Sequence, residues 1–556
     1  MMRVWSVGVL AVVLWSLSVT SLAEGWSLFS RYHRDVSVQR VELLERRVLG
    51  KLEDGRFYLT ERDAIEMALA NNLGINVQRH AVLVSDWAIR QRESYYDPQG
   101  TFGFNWDRQT NPSASVLQGG TSVTDILTTY NLGYQQPFKW GTSIDATFIG
   151  NRNRSTNFFS SLIPAIRTEA QIIIRQDLLR GFGKAAAEYD IEISRNNLDI
   201  SAEEFRQQAT DTIVQVQNNF WELEFALNDL EVRKKSLEYA QTVLEQNQAR
   251  FEVGTASRLE VVEAEAEVAS RREELIRAQY TYRRVQDALV RLISDFEDPQ
   301  TFTGELVPVA TGEELVRETR PFEDLLSIAG EMRPELQKAD LNIANLEVNL
   351  EKSRDQLRPG LQALAGYQWF GLGGTRIDRD YSQGFFNAPV LAVVPGGIGD
   401  SLAQLLSGDY GGYVVGLSLQ LPIKNSAAQA MNAEAQINLT RGEMEKRTLR
   451  QQVALEIRDA LTQVQMNEAR LEASQAAVEA SSERLQGEEA RFEVGMGTTR
   501  QLIEAQRDLL QTKSTEVRAR TDLIKSLALL DQAVGRTFDR KGIVLDDALD
   551  LNVVEP

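Results

Sequence analysis

Two stretches of this chain carry apolar residues at alternating steps of three and four over a length that no compact globule accommodates. Ile213, Val216, Phe220, Leu223, Leu227, Leu230, Leu237 and Leu244 form one run. Ile457, Leu461, Val464, Leu471, Val478 and Leu485 form the other. This heptad spacing lays one stripe of a helix against a neighbour. A helix from about Lys184 to Arg250 comes to roughly 100 Å. It cannot fold back without breaks, so it needs neighbours along its whole length. Lys234 and Glu468 interrupt the stripes, which is compatible with a shallow, partly wet seam or with a solvated coiled-coil face.

The chain also repeats itself. Arg250-Phe251-Glu252-Val253-Gly254 recurs as Arg491-Phe492-Glu493-Val494-Gly495, with alanine before both copies, and Val262-Glu263-Ala264 lies opposite Ile503-Glu504-Ala505 without a gap. Asp97-Pro98 lies opposite Arg358-Pro359, and Trp106 opposite Tyr367. The offset falls from 261 (residue 98 to 359) to 241 (residue 250 to 491), so the stretch between is 20 residues shorter in the second copy. The expected organisation is a first repeat over 59–295, a linker over 296–321, a second repeat over 322–535 and a tail over 536–556. Each repeat opens with a helix, Thr60 to Tyr95 or Phe322 to Leu357, that stops before a proline. Thr60 is a good N-cap, with Asp63 in the first turn. Strands follow, over about 98–183 and 359–424, and then two long helices.

In the strand stretches the period changes to two. Phe102, Phe104 and Trp106 alternate with Gly103 and Asn105, and Ile144, Ala146 and Phe148 with Asp145 and Thr147. Val415, Leu417, Leu419 and Leu421 alternate with Gly416, Ser418 and Gln420. Such strands suit a boundary between lipid and a watery lumen, and equally the half-buried sheet of a soluble β-sandwich. In a bilayer they must close into a barrel, because no water satisfies the backbone there. About four strands in the first half and two in the second are too few to close alone, so a barrel implies an oligomer. Trp106, Tyr134, Trp140, Tyr367 and Trp369 are candidates for an interfacial girdle. Asn151 to Ser161 and the glycine-rich Gly371 to Gly412 are expected to be exposed loops.

Arg3, the apolar run Val4 to Val19 and Ser21-Leu22-Ala23 before Glu24 read as a secretory signal peptide over 1–23, with a buried core helix as the plainer alternative. Residues 24–58 form an extension without a readable pattern. No second uninterrupted apolar stretch of about 20 residues follows, so no spanning helix is expected. A mean hydropathy of −0.29 remains compatible with spanning strands, whose apolarity alternates. The absence of cysteine excludes disulfides, zinc thiolate sites and a lipid on an N-terminal cysteine. A net charge of −19 argues against a nucleic-acid surface.

Little in the chain has the composition of a catalytic site. His33 and His80 are isolated, and neither a Ser/His/Asp set nor a metal cluster is apparent, so no cofactor or metal is expected. Gly181-Phe182-Gly183-Lys184 fails as a phosphate loop, because Leu178 stands where the first glycine belongs and Ala185 replaces the hydroxyl residue. Gly254 and Gly495 suit turns between long helices. Beyond them Glu260 and Glu263, and Gln501 and Glu504, are spaced to share a helical face, for which a solvated surface is the plain reading.

Export, duplication, strand pairs and the repeated turn motif together resemble the TolC-like outer-membrane efflux family, over roughly residues 59–535. The resemblance implies an α+β membrane protein that works as a homotrimer, whose chains share one β-barrel in outer-membrane lipid and continue it as a periplasmic α-helical barrel of long antiparallel helices. It implies an exit channel for tripartite efflux or type I secretion, served by a periplasmic adaptor and an inner-membrane pump of RND or ABC type. By position, Arg250, Val253, Gly254 and Thr255, with Arg491, Val494, Gly495 and Met496, would form the adaptor-docking tip turns. The family's constriction uses acidic residues six and nine positions after the glycine, which places the gate on Glu260, Glu263, Gln501 and Glu504; Gln501 departs from the pattern. The family commonly supplies four strands per chain. Here Thr124 to Gln136 and Trp140 to Asn151 look like an additional hairpin, giving six strands or an extramembrane extension. A rival reading is a non-conducting periplasmic scaffold or adhesin with a β-rich head.

Overall fold

The computed structural model describes residues 51–53, 56–113, 121–158, 160–294, 305–309, 318–382, 388–494 and 496–543. The expected signal peptide, most of the extension and the tail from 544 onward lie outside the described residues. The chain runs β1 (Lys51–Glu53), β2 (Arg56–Leu59), α1 (Glu61–Asn71), α2 (Leu73–Glu93), then β3 (Gln99–Pro112), β4 (Ser122–Pro137), β5 (Thr142–Ser155) and β6 (Leu162–Asp177). The short α3 (Lys184–Ala187) leads into the long pair α4 (Tyr189–Glu252) and α5 (Arg258–Ile293). After β7 (Glu305–Pro308), the second half runs α6 (Phe322–Met332), α7 (Pro334–Gln356), β8 (Gly360–Arg379), β9 (Val390–Val394), α8 (Ile398–Ser407) and β10 (Gly411–Gln420). A second long pair, α9 (Ser426–Glu493) and α10 (Thr499–Val534), and the short α11 (Thr537–Lys541) complete it.

Both opening helices are broken where a single helix was expected. Thr60 does cap α1, in a reciprocal capping box with Asp63. Asn72 then ends α1 and caps α2, its side-chain oxygen accepting from the amides of Gly74 and Ile75 at 2.9 and 3.2 Å. In the second half Pro334 holds Arg333 in an extended conformation between α6 and α7.

The long helices lie side by side in a single layer. Near the strands α4 packs between α2 and α7, with α9 beyond; at the far end α4 lies between α5 and α10, with α9 outermost. Packing is densest midway. There α1 covers Ile213, Phe220, Leu223 and Leu289, and α6 covers Ile457, Val464 and Leu530. β2 pairs in parallel with β7 and antiparallel with β1 over this level, so the end of the extension and part of the linker are folded segments. Toward the far end no further described element covers the seam, which buries small residues such as Val243, Val261 and Ala505 between the four helices alone. Leu237 and Leu244 are only half-buried, and Lys234 is exposed and paired with Glu231, outside any packed seam.

The remaining strands form one sheet in the order β10-β8-β6-β5-β4-β3, antiparallel throughout, with β9 added to the distal end of β8. The candidate hairpin is thus two interior strands, β4 and β5, and the chain contributes six long strands to one sheet. One face is apolar across every strand: Phe102 faces Leu132, which faces Phe148, then Ala170 and Trp369. The next row, on the other face, is Thr101, Gly133, Thr147, Gln171 and Gln368. Alternation of successive side chains produces this sorting. The girdle candidates do not form one ring. Tyr134 and Tyr367 share a row toward the helical end of the sheet, Trp106 lies nearer the loops, and Trp140 stacks on Phe138 in the turn beside the helices.

Two expected loops are in part strand and helix, while Thr156 to Phe158 and Asp380 to Ser382 are loop as expected. Asn151 to Ser155 finish β5, because their backbone groups still pair with β4 and β6. Gly371 to Arg379 extend β8, and α8 lies across the apolar face of β6 and β8. Glycine marks close contact here. A Cβ at Gly371 would overlap the Ser401 carbonyl, and one at Gly373 the Gly397 carbonyl. Ser401 is fully buried, with its hydroxyl 2.8 Å from that of Thr168.

Candidate functional site: the helical tip

The end of the helical layer farthest from the strands is formed by the two repeated motifs. α4 stops at Glu252 because Gly254 adopts φ +79°, a conformation open to glycine at little cost. The amides of Thr255 and Ala256 then both donate to the Arg250 carbonyl, at 2.8 and 3.1 Å. Ser257 restarts the chain as α5, its hydroxyl accepting from the Glu260 amide. The second turn repeats the pattern: the amides of Met496 and Gly497 donate to the Arg491 carbonyl at 2.9 and 3.0 Å. Gly495 lies outside the described residues. Val253, Val494 and Met496 are left exposed at 74, 70 and 82 %.

The gate candidates lie just behind these turns, and the structure does not bring them together. Glu260, Glu263, Gln501 and Glu504 are all exposed, and no hydrogen bond or ion pair joins any two of them. Gln501 has a local task. Its side-chain oxygen accepts from the Thr498 amide at 3.0 Å while its own amide donates to the Thr498 hydroxyl, a capping box that starts α10. Glu504 accepts from Arg500 at 3.3 Å on the same helix.

Contacts that sequence periodicity does not reveal hold the two hairpins against each other. The Arg250 guanidinium sits over the Phe492 ring at 5.6 Å. Between the hairpins lies a cleft of about 30 Å³ lined by Tyr239, Val243, Arg271, Ile503 and Leu510. Within the first hairpin Arg271 is held by Glu267 and Glu274, and Arg233 of α4 reaches Glu274 of α5 at 3.0 Å. Higher up, Glu222 of α4 takes Arg518 at 2.9 Å and Lys525, both from α10. Burial pushes the Glu222 carboxyl up, but the two cations outweigh it and hold the group below the usual carboxylate range. The sequence signals for these contacts are the repeated motif, which holds Arg250 and Phe492, and the i, i+3 and i, i+4 spacing around Arg271.

The polar face of the sheet carries charge as well as amides, with Arg175 paired to Asp145 across β6 and β5. Among the described residues no helix is long and apolar enough to cross a membrane, and no group of acidic or histidine side chains could hold a metal.

A sheet with one apolar face, set end to end on a layer of helices this long, is the fold of outer-membrane channel proteins. The sequence profile described as "Outer membrane efflux protein" matches residues 140–294 and 325–536, and the chain belongs to that family. The fold is similar to that of the outer-membrane channel OprN, at 13% identity over 85% of this chain and 89% of that one, with a TM-score of 0.59. It is similar to the CmeC outer membrane channel of Campylobacter jejuni, at 13% identity over 86% of each chain and a TM-score of 0.59. The open-state MtrE outer membrane channel of Neisseria gonorrhoeae is 15% identical over 86% of this chain and 89% of that one, with a TM-score of 0.57. No curated protein sequence matches the chain.

Proposed function

We propose that three copies of this chain form an outer-membrane exit channel whose helical tip is closed at rest and opened by a periplasmic adaptor coupled to an inner-membrane pump of RND or ABC type. One observation carries the reading: six antiparallel strands present an apolar outer face and end on two free edges, β3 and β10, that run in opposite directions. Joined edge to edge around a threefold axis, β3 of one copy meets β10 of the next in antiparallel sense, and three shares of six strands close as 18. Closure removes the exposed edges, which is what a bilayer demands of a sheet. A ring of 18 is wide enough for an aqueous channel.

In that assembly the tips converge on the axis. Glu260, Glu263 and Glu504 of three copies narrow the lumen with negative charge, and the apolar knobs Val253, Val494 and Met496 face the adaptor. The chain itself does no chemistry; the pump supplies the driving force. Efflux of small molecules and type I protein secretion are both served by such a duct.

Membrane fractionation and planar-bilayer recording test this. The protein is expected in the outer-membrane fraction as a trimer with a small closed-state conductance, and Glu263→Gln combined with Glu504→Gln is expected to raise that conductance severalfold. Recovery from the soluble periplasm would defeat the channel reading in favour of a scaffold. An unchanged closed-state conductance in the double variant would remove the gate assignment alone.

A further inference from the structure

The apolar face of the sheet ends toward the loops in a cluster of arginines. Along β3 its outward positions read Phe102, Phe104, Trp106 and Arg108, and along β5 Phe148, Gly150, Arg152 and Arg154. Arg108 and Arg154 occupy one row, separated by Ile126 of β4, and Arg152 lies one outward step closer to the apolar band. Neighbouring outward positions on a strand are about 6.7 Å apart, and β3 and β5 about 9.6 Å, so the three guanidinium groups can converge on one multiply charged anion. All three are exposed, and none forms an ion pair with a described residue.

Charge at this level is sorted by face. The outward positions of β3, β4 and β5 beyond Trp106 and Thr128 carry no carboxylate among the described residues. The inward positions of the same rows carry Asp107 and Asp125 together with Asn105, Asn151 and Asn153. Asp400 and Asp409, which also lie on the outer side, belong to α8 and the residue pair after it, and are engaged by the Gly397 amide and the Ser407 hydroxyl. In a chain of net charge −19, simple solvation would not require an outward patch of three cations free of acid. The order apolar, tryptophan, arginine along one strand follows the polarity gradient from acyl chains through the interface to the headgroups.

We infer that Arg108, Arg152 and Arg154 form a binding site for phosphorylated lipid headgroups of the leaflet on the loop side of the barrel. The inference rests on the outer-membrane placement proposed above. Guanidinium forks pair with phosphate oxygens in two-point hydrogen bonds, which lysine does not reproduce. The site would hold a lipid against the β3 side of each subunit, beside the joint where β3 meets the next copy.

The test is native mass spectrometry of the purified trimer titrated with bisphosphorylated lipid A, its dephosphorylated form, or inorganic phosphate alone. The intact trimer is expected to retain the bisphosphorylated lipid and release the dephosphorylated one. Arg108→Gln, Arg152→Gln and Arg154→Gln combined are expected to weaken retention about a hundredfold. Should that variant fail to assemble, Arg154→Gln with Asn153→Arg keeps the net charge, moves one cation to the inward face, and is expected to weaken retention about fivefold. Equal retention of the dephosphorylated lipid, or unchanged retention in either variant, would overturn the inference. So would displacement by inorganic phosphate at matching concentration, which would mark a soluble-anion site. A protein that never enters the membrane fails the channel reading instead, and fractionation separates that outcome from these.

Discussion

The guanidinium of Arg250 lies over the ring of Phe492, 5.6 Å from its centre. Each residue belongs to a different copy of the same five-residue motif, so one motif grips the other where the two helical hairpins end. Behind the tip only small side chains such as Val243, Val261 and Ala505 are buried, and this contact joins α4 to the end of α9. An exposed cation–aromatic pair contributes about 0.5–1 kcal/mol. Phe492→Ala is therefore expected to speed hydrogen exchange of the Thr255 and Met496 amides by roughly threefold to fivefold. Arg250→Ala in the same background should add little more. Additive effects in the double variant would show that the two side chains act separately.

The seat of α8 is built from absent side chains. Because a Cβ at Gly371 would collide with backbone rather than a movable side chain, Gly371→Val is expected to displace α8 and destabilise the sheet by about 1–3 kcal/mol. Ser401→Ala, which leaves the Thr168 hydroxyl one partner fewer, should cost about 1 kcal/mol. Leu406→Ala, at a position 82 % exposed, should cost less than either in detergent. Heat dissociation of the proposed trimer on a denaturing gel would rank the three, and a harmless Gly371→Val would rule out the tight seat.

Acid should loosen the helical layer at one identifiable place. The Glu222 carboxyl titrates below its ordinary value of 4.5, because Lys525 and Arg518 outweigh the effect of burial. A carboxyl lowered in the folded state stabilises the fold above its unfolded value, and that contribution disappears as pH falls through the folded value. Exchange protection along α4 and α10 around Glu222 is thus expected to drop below pH 4.5, and Glu222→Gln should flatten the drop while lowering protection at neutral pH. An identical acid profile in the variant would assign the loss to other carboxylates.

Much of this fold is legible in the chain because its signals are local and periodic. Three-four spacing marked α4 and α9, two-residue alternation marked β3, β5 and β10, and the repeated motif marked both tips. The breaks at Asn72 and Arg333 were also written in the chain, as a capping asparagine and a proline, but the strength of the surrounding helical pattern hid them. Gly371 and Gly373 misled in the opposite direction. Glycine in a polar stretch reads as loop, whereas here it clears room for a helix on a strand.

What the sequence determined by itself is the alphabet of the fold: two long helical hairpins, a sheet with one apolar face, and a turn motif used twice. Only the tertiary structure decided that β4 and β5 belong inside the main sheet, that α8 lies on its apolar face, and that the arginines collect on that side. It also showed Gln501 folded back on Thr498 rather than reaching for the other gate candidates. The reason is range. Periodicity and caps depend on neighbours within one or two turns, while strand order, the side of a sheet and the meeting of two tips depend on residues more than 200 positions apart, as with Arg250 and Phe492.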